Sequence, residues 1–125
     1  MKSVLRICWI AMAVSLWLPG QLQAAPATHG EQNGLPIIAL AELATEAHVT
    51  LHAIKQGGPF AYERDGAVFR NFERRLPKRA RGYYHEYTVK TPGARGRGAQ
   101  RIISGEVNEY YYTADHYQTF KRIRE

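Results

Sequence analysis

The stretch that decides the fold runs from Gly82 to Arg101 and reads GYYHEYTVKTPGARGRGAQR. Aromatic and β-branched residues fill positions 83–89 without a breaker, and this pattern is typical of a β-strand. The sequence Thr91-Pro92-Gly93 predicts a turn, and the Gly-rich segment after it predicts a loop that carries Arg97. A second strand begins at Arg101, so the whole stretch predicts two antiparallel strands joined by a long loop.

Charged residues of this stretch share one face of the predicted sheet. Successive side chains of a strand point to opposite faces, so Glu86 lies on the same face as Tyr84 and Thr88. An antiparallel return of the second strand would place Arg101 opposite Glu86. A carboxylate framed by arginines on a rigid sheet is either an ion pair or a site for a phosphate. The stretch alone leaves both interpretations open.

The first 24 residues have the pattern of a signal peptide. Lys2 and Arg6 form a basic start, residues 7–18 form an apolar core, and Pro19-Gly20 breaks it. The apolar run is too short for a membrane span, which is the alternative. We therefore expect cleavage after Ala24 and secretion, either to the outside of the cell or to the periplasm if the host has an outer membrane. No stable membrane association is expected after processing.

The mature chain of about 100 residues is long enough for one small domain. Residues 25–34 are rich in Gly, Pro, Asn and His and predict a flexible arm, and residues 35–125 form the domain. Without Lys2 and Arg6, 15 of the 17 basic residues remain against 11 acidic residues. This excess suits nucleic acid, a phosphorylated surface or an anionic membrane, and charge alone does not choose among them.

The pattern of the mature chain predicts an α+β fold. Apolar residues recur at helical spacing from about 43 to 56, and Gly57-Gly58-Pro59 ends that helix. Residues 36–40 predict either a short strand or the entry to the helix. Further short strands are expected at 67–69, 101–104, 110–112 and 117–123. We expect an N-terminal helix packed on a four- to five-stranded antiparallel sheet.

Two groups of charged or polar residues outside the central stretch call for interpretation. His48 and His52 are four residues apart, but no third metal ligand has matching spacing, so we interpret them as surface histidines. The run from Arg74 to Arg81 contains five basic residues and is either a solvated loop or a path for a phosphate backbone. If the last hairpin folds back, His116 joins Glu86 and Arg101 in a set suited to acid–base chemistry on a phosphodiester.

Three motifs, in order, resemble the bacterial guanyl-specific ribonucleases, the family of ribonuclease Sa and barnase. Residues 58–77 read GPFAYERDGAVFRNFERRLP, residues 82–98 read GYYHEYTVKTPGARGRG, and residues 113–120 read TADHYQTF. The first motif is similar to the guanine-recognition half of the family, the second to ribonuclease Sa, and the third to the C-terminus of barnase. The resemblance covers about residues 35–124.

The resemblance implies a division of catalytic roles. Glu86 would be the general base that deprotonates the ribose 2′-hydroxyl, and His116 the general acid that protonates the leaving 5′-oxygen. Arg97 and Arg101 would hold the phosphate, with Tyr117 on the phosphate side of the site. The implied reaction is transphosphorylation to a 2′,3′-cyclic phosphate, followed by hydrolysis. It requires RNA, because DNA has no 2′-hydroxyl, and it requires neither a metal nor another cofactor.

The resemblance also implies guanine recognition and a partner protein. Glu73 would accept hydrogen bonds from guanine N1 and the exocyclic amine, and the backbone around Arg70, Asn71 and Phe72 would donate to O6. Phe69 belongs to the same substrate-binding set. A cell that makes such an enzyme needs protection before export, so a small acidic inhibitor resembling barstar is an expected partner. A monomer is expected.

The chain departs from the family pattern at several positions. Phe72 stands where an arginine is usual, and Gln100 replaces a basic residue that is common before the second catalytic arginine. Guanine binding should survive at Phe72, because the family uses mainly the backbone there. The main alternative function is an RNA-binding or toxin-type module without turnover. A basic membrane-surface protein is disfavoured, because the one helix carries Glu42 and Glu46 near its start.

Overall fold

The computed structural model describes residues 31–32 and 34–125. The strands of this part of the chain form one sheet in the order β1-β2-β7-β6-β5-β4-β3. Their bounds are β1 Glu31–Gln32, β2 Leu35–Ala39, β3 Ala67–Phe69, β4 Tyr84–Thr88, β5 Arg101–Ser104, β6 Tyr110–Thr113 and β7 Lys121–Arg124. A short 3-10 turn, Leu40–Glu42, precedes the helix α1, Thr45–Gln56.

The predicted α+β architecture is confirmed, with two differences in the sheet. The described residues contain seven strands rather than four or five. The sheet is also not wholly antiparallel, because β2 runs parallel to β7, with Ile38 beside Ile123. Of the stretch at 36–40, residues 36–39 are therefore a strand and Leu40 begins the 3-10 turn, which settles the alternative left open by its sequence. β1 falls within the expected arm and pairs with β2; residues 1–30, with the expected signal peptide, lie outside the described part.

The helix packs one apolar stripe on the sheet, as its spacing predicts. Ala47 and Leu51 are buried and share a core with Val89 and Ile102 of the sheet. Burial of one such large aliphatic side chain contributes about 1.5–3 kcal/mol. The helix begins at Thr45, two residues later than predicted, because the residues just before it keep extended backbone. Gly57 ends it in the left-handed conformation, with φ of 78°.

A second core lies on the opposite face of the sheet. It contains Leu76, Tyr84, Ile103, Tyr111 and Phe120. Its members come from three strands and from the two loops that cover this face, residues 70–81 and 114–120. Because α1 covers only one face, these loops cover the side chains that β4 and β5 present on the other face.

The register of β4 and β5 differs from the predicted one. Arg101 lies opposite Thr88, and Glu86 lies opposite Ile103. Arg101 and Glu86 therefore share a face, as alternation predicts, but they are diagonal neighbours rather than direct partners. The long loop between the strands is paired at its base, where Val89 N donates to Gln100 O at 3.1 Å, and this sets the register.

The last strand begins at Lys121 rather than at Tyr117 as predicted. His116 and Tyr117 have positive φ angles of 53° and 71°, which no strand residue adopts. These two residues belong to a folded loop, whose contacts are described below. The described residues contain no helix long and apolar enough to cross a membrane.

Candidate active site

A buried carboxylate, Glu86, is the centre of the candidate site. Only 8% of Glu86 is exposed. The hydroxyl of Tyr117 donates a hydrogen bond to its Oε2 at 2.9 Å. Its Oε1 lies 3.4 Å from Nε of Arg64 and 3.6 Å from Nη2 of Arg97. One carboxylate oxygen is therefore held by a neutral donor, while the other faces two guanidinium groups.

Arg64 was not predicted as a site residue, and the local fold explains its position. The turn that carries it is fastened to β4: Gly66 N donates to Glu86 O at 2.8 Å, and Thr88 N donates to Asp65 Oδ1 at 2.7 Å. Arg64 thus reaches the carboxylate from the edge of the sheet, with 68% of its side chain exposed. The sequence signal that could have pointed to Arg64 is the Arg64-Asp65-Gly66 turn before a strand. The proximity of Arg64 to Glu86, however, depends on the pairing of β3 with β4.

Arg97 is placed by the Gly-rich loop. Its Nε and Nη2 both donate to Thr88 Oγ1, at 3.0 and 2.8 Å. The loop approaches itself closely at Gly98, which has φ of 63° and where a Cβ atom would lie 2.5 Å from Thr91 Oγ1. Glycine is required there, and the resulting tight turn directs Arg97 back over β4.

Arg101 is almost fully buried beneath the same loop, with 2% exposed. Its Nη1 donates to Gly98 O at 2.9 Å and to Gln100 O at 2.8 Å. Its Nε has no hydrogen-bond partner among residues 31–32 and 34–125. Arg101 lies close enough to Tyr117 to lower the pKa of that phenol, although burial outweighs it. It therefore adds fixed positive charge beneath the carboxylate.

The loop 114–120 presents His116 and Tyr117. Asp115 holds this loop, accepting hydrogen bonds from Thr119 Oγ1 at 2.6 Å, from Thr119 N at 2.9 Å and from Thr113 Oγ1 at 2.9 Å. These bonds, led by the Thr119 hydroxyl, lower the pKa of Asp115 to about 2. His116 is exposed, its N donates to Ala99 O at 3.2 Å, and its ring centroid is 4.8 Å from that of Tyr117.

Tyr117 connects this loop to the carboxylate. Burial, followed by the hydrogen bond to Glu86 and the negative charge of that carboxylate, raises the pKa of Tyr117 to about 12. Its ring centroid lies 5.0 Å from that of Phe69, with the two planes tilted by 33°. Tyr117 therefore remains a neutral hydrogen-bond donor at any physiological pH, and its ring forms one wall of a cavity.

That cavity, which we call the cleft, has a volume of about 660 Å³. Glu86, Arg64 and Tyr117 line one side of it. The lining also includes all the residues of the predicted guanine-recognition segment: Phe69, Arg70, Asn71, Phe72 and Glu73. The predicted general base, Glu86, and the predicted guanine-recognition segment therefore line the same cavity. Arg97 and His116 are not among its lining residues and lie at its edge.

The recognition segment is held by its own side chains. Asn71, with φ of 52°, donates from Nδ2 to Leu76 O at 2.9 Å and accepts from Leu76 N at 3.1 Å. These two bonds tie Asn71 to Leu76 and fix the conformation of the segment. Glu73 is exposed and pairs with Arg75 Nε at 2.8 Å. Phe72 is 80% exposed, with the Arg70 guanidinium 5.6 Å from its ring centroid.

The two histidines on α1 and the histidine beside Glu86 are not part of the site. His48 Nε2 contacts Leu43 O at 3.2 Å, and His85 Nδ1 contacts Gly66 O at 3.0 Å. No group of three potential metal ligands occurs within the described part of the chain. Gln100, the other departure from the family pattern, accepts from the Tyr112 hydroxyl at 2.7 Å and so helps to fix the loop that ends at Arg101.

Comparison with known proteins identifies the family. A family profile described as ribonuclease matches residues 26–124. Guanyl-specific ribonuclease St of Saccharopolyspora erythraea is 50% identical over 92 residues, which are 74% of this chain and 91% of that protein. Guanyl-specific ribonuclease Sa of Kitasatospora aureofaciens is 56% identical over 87 residues, 69% of this chain and 91% of that protein.

A solved structure shares the fold. The crystal structure of ribonuclease Sa2 with guanosine-2′-cyclophosphate superposes with a TM-score of 0.69 at 47% sequence identity, covering 72% of this chain and 96% of that one. The match with the family profile includes every residue of the site described above. The chain therefore belongs to the family of guanyl-specific microbial ribonucleases.

Proposed function

We propose that the chain cleaves RNA on the 3′ side of guanosine, with Glu86 as general base and His116 as general acid. The chain is an RNA-cleaving endoribonuclease by its family. One observation carries the assignment of roles: the buried Glu86 carboxylate, held by Tyr117 and faced by two arginines, opens onto the same cleft as Glu73. The proposed general base and the carboxylate proposed to select guanine thus line the same cavity.

The first step forms a cyclic phosphate. Glu86 takes the proton of the ribose 2′-hydroxyl, and the 2′-oxygen attacks the phosphorus. The bond between phosphorus and the 5′-oxygen of the next nucleotide breaks, and His116 gives that oxygen a proton. In the second step His116 takes a proton from a water molecule, whose oxygen attacks the phosphorus of the cyclic phosphate. The bond between phosphorus and the 2′-oxygen breaks, and Glu86 returns a proton to that oxygen, which leaves a 3′-phosphate.

Tyr117 orients the carboxylate of Glu86, and the arginines stabilise the negative charge that develops on the phosphate in this reaction. Tyr117 fixes Oε2 of Glu86, so Oε1, which has only the longer contacts to Arg64 and Arg97, is the oxygen that would accept the proton. Arg64 and Arg97, within 3.4 and 3.6 Å of Oε1, lie where the phosphate oxygens must approach. Guanidinium groups suit this task because they bind oxyanions with two parallel N–H donors. Arg101, buried and fixed by two carbonyls, keeps the positive potential in place.

The recognition segment, which also lines the cleft, would select guanine. Guanine presents two adjacent donors, N1–H and the exocyclic amine, with the O6 acceptor beside them. The Glu73 carboxylate accepts from the donors, and backbone N–H groups of the segment Arg70–Phe72 donate to O6. The ring of Phe69, 5.0 Å from Tyr117, closes the apolar side. Adenine, with the reverse donor and acceptor order at this edge, leaves the carboxylate without partners.

Rates on matched dinucleotides test the recognition role. The wild type should cleave guanylyl-uridine far faster than adenylyl-uridine. Glu73→Gln should lose at least about 10-fold in kcat/KM on the guanylyl substrate, since each lost hydrogen bond to a charged group is worth about 1.5–3 kcal/mol. Glu63→Gln, a carboxylate exchange outside the cleft, is the matched control. Equal rates of the Glu73 and Glu63 variants on guanylyl-uridine would remove the recognition role.

The dependence of rate on pH tests the acid–base roles. We expect a rate that rises and then falls with pH, with Glu86→Gln flattening the acidic limb and His116→Gln the alkaline limb. Each substitution should lower kcat by about 10²- to 10⁴-fold. A profile that keeps both limbs in both variants would contradict the assignment. Binding without cleavage by the wild type would instead favour an RNA-binding module.

Secretion, the monomeric state and an inhibitor complete the proposal. Residues 1–24 carry the signal-peptide pattern, and the product should begin at Ala25 when its N-terminus is sequenced after expression with the full leader. The excess of 15 basic over 11 acidic residues in the mature chain favours a small acidic, barstar-like protein as inhibitor. Sedimentation of the mature protein alone and with an acidic inhibitor of this family would test both association states.

A further inference from the structure

A second cavity, which we call the basic groove, lies behind the recognition segment and has a volume of about 370 Å³. Arg74, Lys78 and Arg79 line it and do not line the cleft. Arg70, Phe72 and Arg81 line both cavities. The groove therefore adjoins the cleft, and the residues it shares with the cleft come from the recognition segment and from Arg81.

The loop that forms the groove carries most of the protein's excess charge. Residues 70–81 contain six basic side chains against one carboxylate, Glu73, in a protein of formal net charge +6. That carboxylate is paired with Arg75 on the cleft side. Among residues 31–32 and 34–125, no carboxylate lies within 4.0 Å of the charged nitrogens of the groove cations Arg74, Lys78 and Arg79. Like charges brought together without partners repel one another and favour a bound polyanion.

The wall of the groove is held in place before any ligand binds. Leu76 is 2% exposed in the second core, and the Tyr84 hydroxyl donates to Pro77 O at 2.6 Å. Arg79 lies over the ring of Tyr83, with its guanidinium carbon 5.4 Å from the centroid. A cationic surface on such a support needs little reordering to bind, which favours affinity.

An exposed aromatic ring stands where the groove meets the cleft. Phe72 is 80% exposed, which is unusual for phenylalanine, and the Arg70 guanidinium lies 5.6 Å from its centroid. Bases of single-stranded RNA stack on such rings and on arginine planes. A ring next to a line of cations therefore suits single-stranded RNA better than an acidic protein surface or a lipid headgroup layer.

The position of the groove indicates which part of an RNA strand it meets. The catalytic carboxylate Glu86, Arg64 and Tyr117 line the cleft and not the groove. The scissile phosphate on the 3′ side of guanosine belongs near those residues, whereas the groove shares the segment proposed to hold the guanine. The strand that leaves the guanosine on the side away from the scissile phosphate is the 5′ strand. Resting on the proposed function, we propose that the basic groove binds the phosphates of the nucleotides immediately 5′ of the guanosine, with Phe72 stacking on the first of their bases.

Three substrates test this proposal: guanylyl-uridine alone, the same dinucleotide with several uridines on its 5′ side, and the same with several uridines on its 3′ side. The variant replaces Arg74, Lys78 and Arg79 together by Gln. A matched control replaces Lys90, Lys121 and Arg124 by Gln; these cations are exposed and line neither cavity. Thermal unfolding of both variants confirms that they fold.

We expect the 5′ extension to raise kcat/KM for the wild type and for the control, and the groove variant to lose that gain while cleaving the dinucleotide normally. If three phosphates are held, the gain should fall about 20-fold between about 50 mM and about 200 mM salt in the wild type and little in the groove variant. The 3′ extension should respond alike in all three proteins.

Several results would overturn the proposal. A 5′ extension that gives no gain in the wild type, or an equal loss in the control, would remove the groove as a subsite. So would unchanged cleavage of every substrate by the groove variant, together with lost binding to anionic vesicles or to an acidic inhibitor, since the groove would then serve that partner. Failure of the wild type to cleave guanylyl-uridine would count against the proposed function instead.

Discussion

Replacing Tyr117 by Phe removes one oxygen atom from the centre of the site. That oxygen donates to Oε2 of Glu86 at 2.9 Å, and the carboxylate is only 8% exposed. Water therefore replaces the lost donor poorly. A hydrogen bond to a charged group contributes about 1.5–3 kcal/mol. The substitution should destabilise the fold and also leave the carboxylate of Glu86, the proposed general base, less well oriented.

The raised pKa of Tyr117 governs how this loss depends on pH rather than how large it is. Burial, which disfavours the phenolate, is the largest cause of the rise from 10.0 to about 12, followed by the hydrogen bond to Glu86. The hydrogen bond sets the expected loss, about 1.5 kcal/mol in the free energy of unfolding near neutral pH. The same change should lower kcat/KM about 10-fold.

The sign of the pH dependence follows from the direction of the shift. The folded protein holds the phenol proton more tightly than the unfolded chain, so the contribution of Tyr117 is fully present below about pH 10. It is lost as the pH rises from there through about 12. Urea unfolding should therefore show the gap between the wild type and Tyr117→Phe narrowing as the pH rises from about 10 toward about 12.

Tyr87→Phe is the control for this experiment. Tyr87 is half-buried and packs 5.0 Å from Phe60, and its hydroxyl makes no hydrogen bond within the described part of the chain. Its removal should change the free energy of unfolding by less than about 0.5 kcal/mol. A stability gap for Tyr117→Phe that is no larger than the Tyr87→Phe gap, or that persists unchanged at high pH, would refute the reasoning.

Three further substitutions have defined outcomes. Arg64→Gln should lower kcat/KM on guanylyl-uridine about 10-fold, with partial rescue by Arg64→Lys, because a guanidinium 3.4 Å from the carboxylate is lost. Asp115→Asn should lower Tm near neutral pH; since the Thr119 hydroxyl leads the lowering of the Asp115 pKa from 3.8 to about 2, the difference should vanish in thermal scans as the pH falls through that range. Gly98→Ala should cost about 3 kcal/mol in urea unfolding against about 1 for Gly96→Ala, because both have positive φ but only at Gly98 would a Cβ atom meet a threonine hydroxyl, at 2.5 Å.

Local patterns predicted the elements of this fold well, because they depend on neighbouring residues. The strand at Ala67–Phe69 and the strand at Arg101–Ser104 have the predicted bounds. Gly57 ends the helix as glycine in the left-handed conformation does elsewhere. Alternation along β4 correctly placed Glu86 on the same face as Tyr84 and Thr88, and the structure shows that this is the face of the second core.

Features that depend on pairing between residues far apart in the chain could not be predicted from the sequence. Parallel pairing of β2 with β7 joins strands at the two ends of the described chain, and no local signal marks it. The register that sets Arg101 opposite Thr88 depends on how the Gly-rich loop folds back. Arg64 reaches Glu86 only because its turn is fastened to β4 by Gly66 and Asp65. Each of these outcomes is decided by tertiary hydrogen bonds rather than by composition.

The loop before the last strand shows a third limit. Residues from Tyr117 onward have strand-like composition, yet His116 and Tyr117 adopt positive φ, held by the bonds of Asp115 and Thr113. This strained conformation is what turns the Tyr117 hydroxyl toward Glu86. The hydrogen bonds of this loop have thus overridden the local preference for a strand.

Cleavage of an RNA oligonucleotide that contains a single guanosine tests the central claim most directly. The mature protein from Ala25 is incubated in EDTA with the end-labelled oligonucleotide, beside a variant that combines Glu86→Gln with His116→Gln. We predict one cut, 3′ to the guanosine, with a product that ends in a 2′,3′-cyclic phosphate and is absent with the variant. Cuts at other bases, an uncyclised initial product, or equal cleavage by the variant would contradict the account.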